Sequence, residues 1–298
     1  MELQQLRYVV AVAETGGFTR AAERCLVVQS ALSHQIAKLE KELGARLFER
    51  NSRRVRLTAA GEAFLPAARQ ALAATERAQA EVAAVTGEVR GTLSIGAIAT
   101  ITAVDVPSLM RSYHDRYPQV TMKLIHGNSD TLVRHVRDGR LDLGLLGVPP
   151  SFRADTAAGL DTRTLAVDRH VAFVAPDHPL AAPGAGPVPL ERIAGEPFVD
   201  FPAGLAARAQ AEEAFAAAGL RRTVEFEAND LTFIAGLVRC GLGITLLPSR
   251  LAPRLHGLAA VELQDGPVRE ERLAWNGQRR SPAAAAFLSA ITTTDAVT

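Results

Sequence analysis

The 298-residue sequence predicts an α+β chain in three parts: a helical module with a small β hairpin, a long linker helix, and an α/β domain. Three observations predict this fold. Apolar residues recur at helical spacing up to Gly44, residues 59–88 hold 12 alanines, and after Gly87 short apolar runs alternate with helical segments. The corresponding boundaries are 1–58, 59–90 and 91–298.

The composition excludes several classes of protein. With 48% hydrophobic residues and 33 basic against 32 acidic side chains, the chain is too apolar to be disordered. It has no charge-free apolar run long enough for a membrane helix and no signal-peptide pattern at its start. Its two cysteines are too few for a disulfide framework or a thiolate metal site. We therefore expect a cytoplasmic protein without a metal or another cofactor.

The positive charge lies at the amino end of the chain. Residues 1–58 hold 10 Lys or Arg against 6 Asp or Glu, whereas residues 59–298 hold 23 against 26. The densest stretch, 46–56, contains five arginines and one glutamate. Such a patch suits contacts with the phosphates of a nucleic acid, although a solvated surface run would give the same count.

The amino-terminal module contains three candidate helices. Helical spacing predicts the first over 3–13, with Gly16-Gly17 ending it, and the second over 19–26. Because only about three residues separate the second helix from the third, the pattern predicts a helix-turn-helix. The third helix ends at Gly44, and its apolar stripe consists of Leu32, Ile36, Leu39 and Leu43.

The third helix presents small and hydrogen-bonding side chains on its other face, with lysines behind them. A helix in the major groove needs such side chains for close approach, and Gln29 can pair with adenine. An ordinary polar helix face would look the same. Residues 50–58 then alternate apolar and basic side chains, which predicts a hairpin wing for DNA. The predicted DNA contacts are Gln29, Ser30, Ser33, His34, Lys38, Arg50, Arg53, Arg54 and Arg56.

Three stretches of this module resemble the amino terminus of LysR-type transcriptional regulators: LRYVVAVAETGGFTRAAERCL, VQSALSHQIAKLEKELGARLFER and VRLTAAGEAFL. Val28 stands where this family usually has a serine opening the recognition helix, Ser30 stands where the family usually has a proline near the first turn, and Gly17 replaces a common serine. Because valine cannot cap a helix, the cap moves to one of the next two side chains or is lost, at a cost of about 1 kcal/mol. Thr19 still offers a hydroxyl to a phosphate.

The alanine-rich segment predicts one helix over 59–86. Its small side chains recur at alternating steps of four and three, a seam that resembles a coiled coil and suits close pairing of two chains. A helix that packs only on its own domain is the alternative. In the LysR-type family this helix is likewise the dimer contact. The predicted dimerisation residues are Phe64, Ala68, Ala71, Thr75, Ala78, Val82 and Val85.

The carboxy-terminal pattern predicts a mainly parallel α/β sheet in two lobes. Strands are predicted over 92–96, 120–125, 141–147, 171–175, 198–201, 224–227 and 244–247, and helices over 103–116, 129–138, 205–218, 230–240 and 281–291. The stretches GTLSIGAIATITA, LDLGLLG, FVAPDHPLA and GLVRCGLGITLLP resemble the LysR-type effector domain, whose fold is like that of periplasmic binding proteins. This resemblance implies crossings near 161–168 and 263–272, with lobe I about 91–163 and 268–298, and lobe II about 164–267.

Such folds bind ligands where strand ends meet helix amino termini, whose free amides attract anions. We therefore expect a small anionic metabolite as the effector, with plain helix capping as the alternative role for Asn128 and Ser129. The acidic pairs Glu212-Glu213 and Glu270-Glu271 are expected on solvated surface. The predicted effector contacts are Thr100, Ile101, Thr102, Asn128, Ser129, Phe201, Pro202, Gly204 and Asn229.

No catalytic pattern is found. None of the seven histidines stands in a metal-spaced pair, and neither a nucleophile elbow nor a dinucleotide-binding turn is present. The sequence predicts a sequence-specific transcriptional regulator and not an enzyme. We expect it to bind an inverted repeat in double-stranded DNA as a dimer or tetramer and to interact with RNA polymerase at the promoter. The alternative is a cytoplasmic small-molecule binding or carrier protein whose basic amino terminus has no promoter-specific role.

Overall fold

The computed structural model describes residues 1–51, 54–85, 87–154, 159–182 and 186–294. Within these ranges, no helix has the length and apolar character to cross a membrane. The helices are α1 (Leu3–Thr15), α2 (Phe18–Arg24), α3 (Gln29–Leu43), α4 (Ala59–Val85), α5 (Val106–Arg116), α6 (Ser129–Arg137), α7 (Leu190–Ile193), α8 (Ala206–Ala217), α9 (Leu231–Arg239) and α10 (Pro282–Thr294).

The strands form a hairpin, a large mixed sheet and a small two-stranded sheet. They are β1 (Phe48–Asn51), β2 (Arg54–Leu57), β3 (Gly91–Ala97), β4 (Val120–His126), β5 (Leu143–Val148), β6 (Leu160–Val174), β7 (Pro197–Asp200), β8 (Thr223–Glu227), β9 (Thr245–Pro248), β10 (Ala259–Val261) and β11 (Val268–Asn276). The predicted α+β fold, with its winged helix-turn-helix, linker helix and two-lobed α/β domain, is confirmed.

The amino-terminal module packs α1, α2 and α3 around one apolar core. The chain leaves α1 at Gly16 and α3 at Gly44, and both glycines have left-handed backbone angles, with φ of 66° and 68°. Three residues of the predicted stripe are fully buried in this core: Leu32, Ile36 and Leu39. Leu43 was expected with them, but in the last turn of α3 it remains exposed and lies outside the core.

The β1–β2 hairpin follows α3 and is tied to it. A carboxylate oxygen of Glu40 in α3 accepts hydrogen bonds from the backbone N–H of Leu47 at 2.8 Å and of Phe48 at 3.2 Å. The two strands pair antiparallel, with Asn51 opposite Arg54. The hairpin therefore holds a defined position beside α3, as a wing requires.

Helix α4 joins the winged module to the rest of the chain. A Cβ on Gly61 would come within 2.1 Å of the Leu47 carbonyl oxygen, so only glycine permits this close packing of α4 on the wing. In the first half of α4, Leu65 belongs to the helix-turn-helix core, and in the second half Ala80 and Ala83 are buried. The helix contacts α1 near one end and α10 of the carboxy-terminal domain near the other.

The large sheet has the strand order β10-β6-β11-β5-β3-β4, with β9 also paired to β6. Only the β3–β4 and β3–β5 ladders in it are parallel, so the expectation of a mainly parallel sheet is wrong for this sheet. The reason is the topology: β6 carries the chain from one lobe into the other and β11 brings it back, so these neighbours run in opposite directions. Strands β10 and β11 were missing from the prediction.

The long strand β6 serves both lobes. Its residues 160–169 pair with β11, and its residues 170–174 pair with β9 and β10. Lobe I contains β3, β4 and β5 with α5, α6 and α10 around one core. Lobe II contains the parallel β7–β8 pair with α8 and α9 around two smaller cores. A cleft therefore lies where the strand ends of the two lobes face each other.

Candidate functional site

The outward face of α3 carries most of the predicted DNA contacts. Gln29, Ser30, His34 and Lys38 are all exposed, whereas Ser33 is half-buried. Thr19 is exposed on α2. The face therefore combines an amide, a hydroxyl, an imidazole and a cation within one helix, the inventory that reads base edges and phosphates in the major groove.

The start of α3 has no side-chain cap. Val28 is the N-cap residue, with φ of −73° and ψ of 142°, and its side chain makes no hydrogen bond to the helix. Of the outcomes expected for this departure, loss of the cap is the one observed. Val28 and Leu26 both expose their side chains beside the polar face of α3.

The wing places further cations beside this face. Arg56 on β2 is exposed, as is Arg46, two residues before β1. Of the other predicted wing contacts, Arg53 lies outside the described residues, and the side chains of Arg50 and Arg54 are likewise outside the described part of the chain. Exposed cations on both α3 and the wing give this side of the module the charge that DNA phosphates require.

The predicted dimerisation seam on α4 is exposed over its second half. Val82 and Val85 expose 70% and 89% of their surface, and Ala78 is also exposed. Phe64, Ala71 and Thr75 are half-buried. Ala68 is corrected: it retains only 2% of its surface because its own chain covers it, so it cannot contact a partner in this arrangement.

A cavity of about 280 Å³ lies between the two lobes. Five of the predicted effector contacts line it: Thr100, Asn128, Ser129, Phe201 and Asn229. They come from the ends of β3, β4, β7 and β8, as expected for a ligand site at strand ends. The described lining also includes His170, Gln210 and Arg269, which were not predicted.

Four predicted effector contacts do not line this cavity. The hydroxyl of Thr102 donates to Glu271 at 2.7 Å, so it faces the interior of lobe I. Ile101 is buried in the lobe I core, and its carbonyl accepts from Arg254 of lobe II at 3.0 Å. Pro202 and Gly204 lie in the turn before α8, half-buried and exposed respectively, and neither reaches the cavity.

A buried ion pair on β11 holds the loop after β3. Arg269 donates to the hydroxyl of Thr100 at 2.8 Å, to its carbonyl at 2.7 Å, and to the carboxylate of Glu271. Glu271 also accepts from the backbone N–H of Thr102 at 2.8 Å and of Ala103 at 2.6 Å. The expectation that Glu270-Glu271 forms a solvated face is thus wrong for Glu271, which is fully buried because alternate residues of β11 point into lobe I.

The residues at the start of α6 are held by structural hydrogen bonds. Asn128 is the N-cap and accepts from the backbone N–H of Thr131 at 2.9 Å. The Ser129 hydroxyl donates to the Gly147 carbonyl at 2.9 Å and accepts from the Gly147 N–H at 3.1 Å. Capping thus accounts for Asn128, and Ser129 ties α6 to β5, while both retain a position on the cavity wall.

Lobe II contributes two buried polar side chains to the cavity. Burial lowers the pKa of His170 to about 4, so its imidazole is neutral at pH 7. Gln210 on α8 exposes 6% of its surface, and within the described part of the chain neither its amide nitrogen nor its amide oxygen has a hydrogen-bond partner. Leu205, the N-cap of α8, supplies no side-chain acceptor to the first amides of that helix.

Two family models match the chain. One is described as a bacterial regulatory helix-turn-helix protein of the lysR family and matches residues 3–62, and the other is the LysR substrate binding domain and matches residues 86–296. The first covers α1 to the start of α4, and the second covers the two lobes. Both candidate sites therefore fall inside a matched region.

Similar proteins match over most of the chain. The transcriptional dual regulator GltC of Bacillus subtilis is 36% identical over 83% of this chain and 81% of its own length. The HTH-type transcriptional regulator IlvR of Caulobacter vibrioides is 34% identical over 98% of both chains. A crystal structure of full-length CbnR complexed with its target DNA has a TM-score of 0.68 and 25% identity, covering 99% of this chain and 100% of that one.

Proposed function

The chain belongs to the LysR family of bacterial regulatory helix-turn-helix proteins, and on this premise we propose that it binds an inverted repeat at a promoter as a homo-oligomer, under the control of a small anionic metabolite. It is a DNA-binding transcriptional regulator, the class of its relatives, and not an enzyme. The observation that carries the proposal is the exposed polar face of α3 beside an arginine-rich hairpin. Its place of action is the cytoplasm, and RNA polymerase is its partner at the promoter.

The proposed DNA contacts divide into two groups. Gln29, Ser30 and His34 lie on the exposed face of α3, where they contact base edges, and the half-buried Ser33 supports them. Cations and hydroxyls at the margins contact phosphates, which set affinity and salt dependence rather than sequence preference. These proposed phosphate contacts are Thr19, Lys38, Arg50, Arg53, Arg54 and Arg56.

The proposed pairing of two chains through α4 supports binding to an inverted-repeat DNA site. Val82 and Val85 leave a large apolar area in water, and a second copy of the same seam would bury it. A two-fold dimer presents two recognition helices to two half-sites of opposite direction. The proposed contacts, without Ala68, are Phe64, Ala71, Thr75, Ala78, Val82 and Val85.

The pairing is tested with the double variant Val82→Asp, Val85→Asp. Two carboxylates on the seam of each chain would be desolvated and would repel each other, so we expect the dimer dissociation constant to rise at least tenfold, roughly 1.4 kcal/mol. Sedimentation velocity over a concentration series measures it. Val167→Asp, at another exposed valine, is the matched control. An unchanged distribution of oligomers in the double variant would contradict pairing through α4.

The interlobe cavity supports an anionic effector. The charge of Arg269 is paired with Glu271, and His170 is neutral, so neither offers an unpaired positive charge to the ligand. The uncapped amides that open α8 lie at the cavity edge, and Leu205 and Ala207 line it. Helix amides and the helix dipole favour a carboxylate or similar anion there. Gln210, three residues after Ala207 on α8, also lines the cavity and can hydrogen-bond polar groups of the ligand other than the anionic group.

The effector site is tested with Gln210→Met. A panel of anionic metabolites is screened by thermal shift on the full chain, and we expect at least one anion to raise the melting temperature. Because one lost hydrogen bond costs about 1 kcal/mol, the variant should bind that anion about fivefold more weakly, with unliganded stability unchanged or raised. Gln264→Met, at an exposed glutamine, is the control. Stabilisation by cations or neutral amines alone would contradict the anionic effector.

A further inference from the structure

An exposed apolar side chain opens the recognition helix of this chain. Val28 leaves 68% of its surface in water, directly before Gln29 and Ser30 on the face assigned to DNA. Single exposed apolar residues are common on protein surfaces and need no explanation by themselves. What distinguishes Val28 is its place, because the first residues of a recognition helix are those that contact base edges.

Val28 also occupies a position where a polar residue would stabilise the helix. As the N-cap of α3, a serine or aspartate would accept a hydrogen bond from a free amide of the first turn. Valine makes no such bond, so this stabilisation is missing. The side chain can neither donate to nor accept from a base, and its two methyl groups can interact only with another apolar group.

We propose that Val28 reads thymine by packing its methyl groups against the 5-methyl group of a thymine in the major groove of each half-site. Among the four unmodified bases only thymine presents a methyl group there. Lys38, a proposed phosphate contact, is exposed on α3, as are Lys41 and Arg46 further along the chain. Phosphate contacts by such cations would fix the position of α3 on the duplex and keep its start close to the bases. This inference rests on the DNA-binding function and adds one base preference to it.

The test uses the full chain and a duplex obtained by in vitro site selection. Each thymine of one half-site is replaced in turn by deoxyuridine, which removes only the methyl group. We expect one position at which the affinity of the unaltered protein falls about fourfold, the effect of losing one buried methyl group. Val28→Ser should bind the thymine and deoxyuridine duplexes equally well.

The controls separate reading from folding. Val167→Ser, at an exposed valine of the carboxy-terminal domain, should keep the fourfold preference. Because serine restores the N-cap, amide hydrogen exchange in the first turn of α3 should slow about fivefold in Val28→Ser, which shows that the helix is intact.

Two results would overturn the inference. The first is equal affinity of the unaltered protein for every deoxyuridine duplex, and the second is a fourfold preference that persists in Val28→Ser. In the second case, loss of the preference in Leu26→Ser would identify the preceding turn as the part that contacts thymine. If the full chain selects no sequence at all, the proposed DNA-binding specificity itself fails, a result distinct from these two.

Discussion

Glu271→Ala is expected to lower the free energy of unfolding of the carboxy-terminal domain by about 3–5 kcal/mol, because removing one member of a buried ion pair leaves the other charge unpaired. The change would leave the Arg269 charge without its carboxylate partner. It would also remove the acceptor of the hydrogen bonds that the backbone N–H groups of Thr102 and Ala103 now donate to Glu271. Trp275, the single tryptophan, lies four residues along β11, so its fluorescence during urea unfolding of the full chain reports on lobe I.

Two further variants make this expectation specific. Glu213→Ala, on the exposed face of α8, should change the free energy of unfolding by about 0.5 kcal/mol or less. The double variant Arg269→Met, Glu271→Leu removes both charges and should be more stable than Glu271→Ala alone. If Glu271→Ala unfolds at the same urea concentration as the unaltered chain, the buried network does not hold the loop after β3.

Gln29→Ala combined with His34→Ala is expected to lower the ratio of specific to nonspecific DNA affinity at least about 30-fold. Each lost base contact costs about 1–3 kcal/mol, and two contacts at the lower figure give this factor for one half-site. Competition titrations with a selected duplex and a scrambled duplex at fixed salt measure the ratio. Both side chains are exposed, so the protein should remain folded.

Two controls distinguish base reading from phosphate contact. Gln264→Ala with His114→Ala changes the same residue types at exposed positions of the carboxy-terminal domain and should leave the ratio unchanged. Arg56→Ala on the wing should weaken binding to both duplexes equally. It should also lower the slope of log affinity against log salt concentration by about one, as expected for one lost phosphate contact. A ratio that is unaltered in the Gln29, His34 variant would mean that α3 does not read the bases.

Local patterns were sufficient to predict the winged module. Leu32, Ile36 and Leu39 recur at helical spacing and are all fully buried. Gly16 and Gly44 end helices at positions with left-handed backbone angles, which glycine adopts more readily than other residues. The wing followed from the alternation of apolar and basic residues before Thr58. These features are set by neighbours in the sequence, which is why sequence reasoning reaches them.

The effector cleft depends on contacts that are distant in sequence. Arg269 and Glu271 lie about 170 residues from the loop they hold, and the charged sequence of β11 reads as solvent-exposed. The alternation Arg269, Glu271, Leu273 was the available signal, because these residues share one face of a strand. Gln210 sits in an alanine-rich helix, and no local pattern shows that it faces a cavity.

Packing of one element on another also determines which seam residues of the linker helix α4 remain exposed. Ala68 fits the periodic seam of α4 as well as its neighbours do, yet its own chain buries it. The periodicity predicts a face of the helix, but which residues of that face remain open depends on how the winged module packs against it. Apart from Ala68, the seam is therefore half-buried at Phe64, Ala71 and Thr75 and exposed at Ala78, Val82 and Val85.

Helix α3 is expected to give this chain a sequence preference on duplex DNA, and in vitro selection with the full chain tests this most directly. Random duplexes are bound, recovered and sequenced over several rounds, with the Gln29→Ala, His34→Ala variant in parallel. We expect the unaltered chain to enrich one inverted repeat and the variant to enrich none. Failure of the unaltered chain to enrich any sequence, or enrichment of the same repeat by the variant, would contradict it.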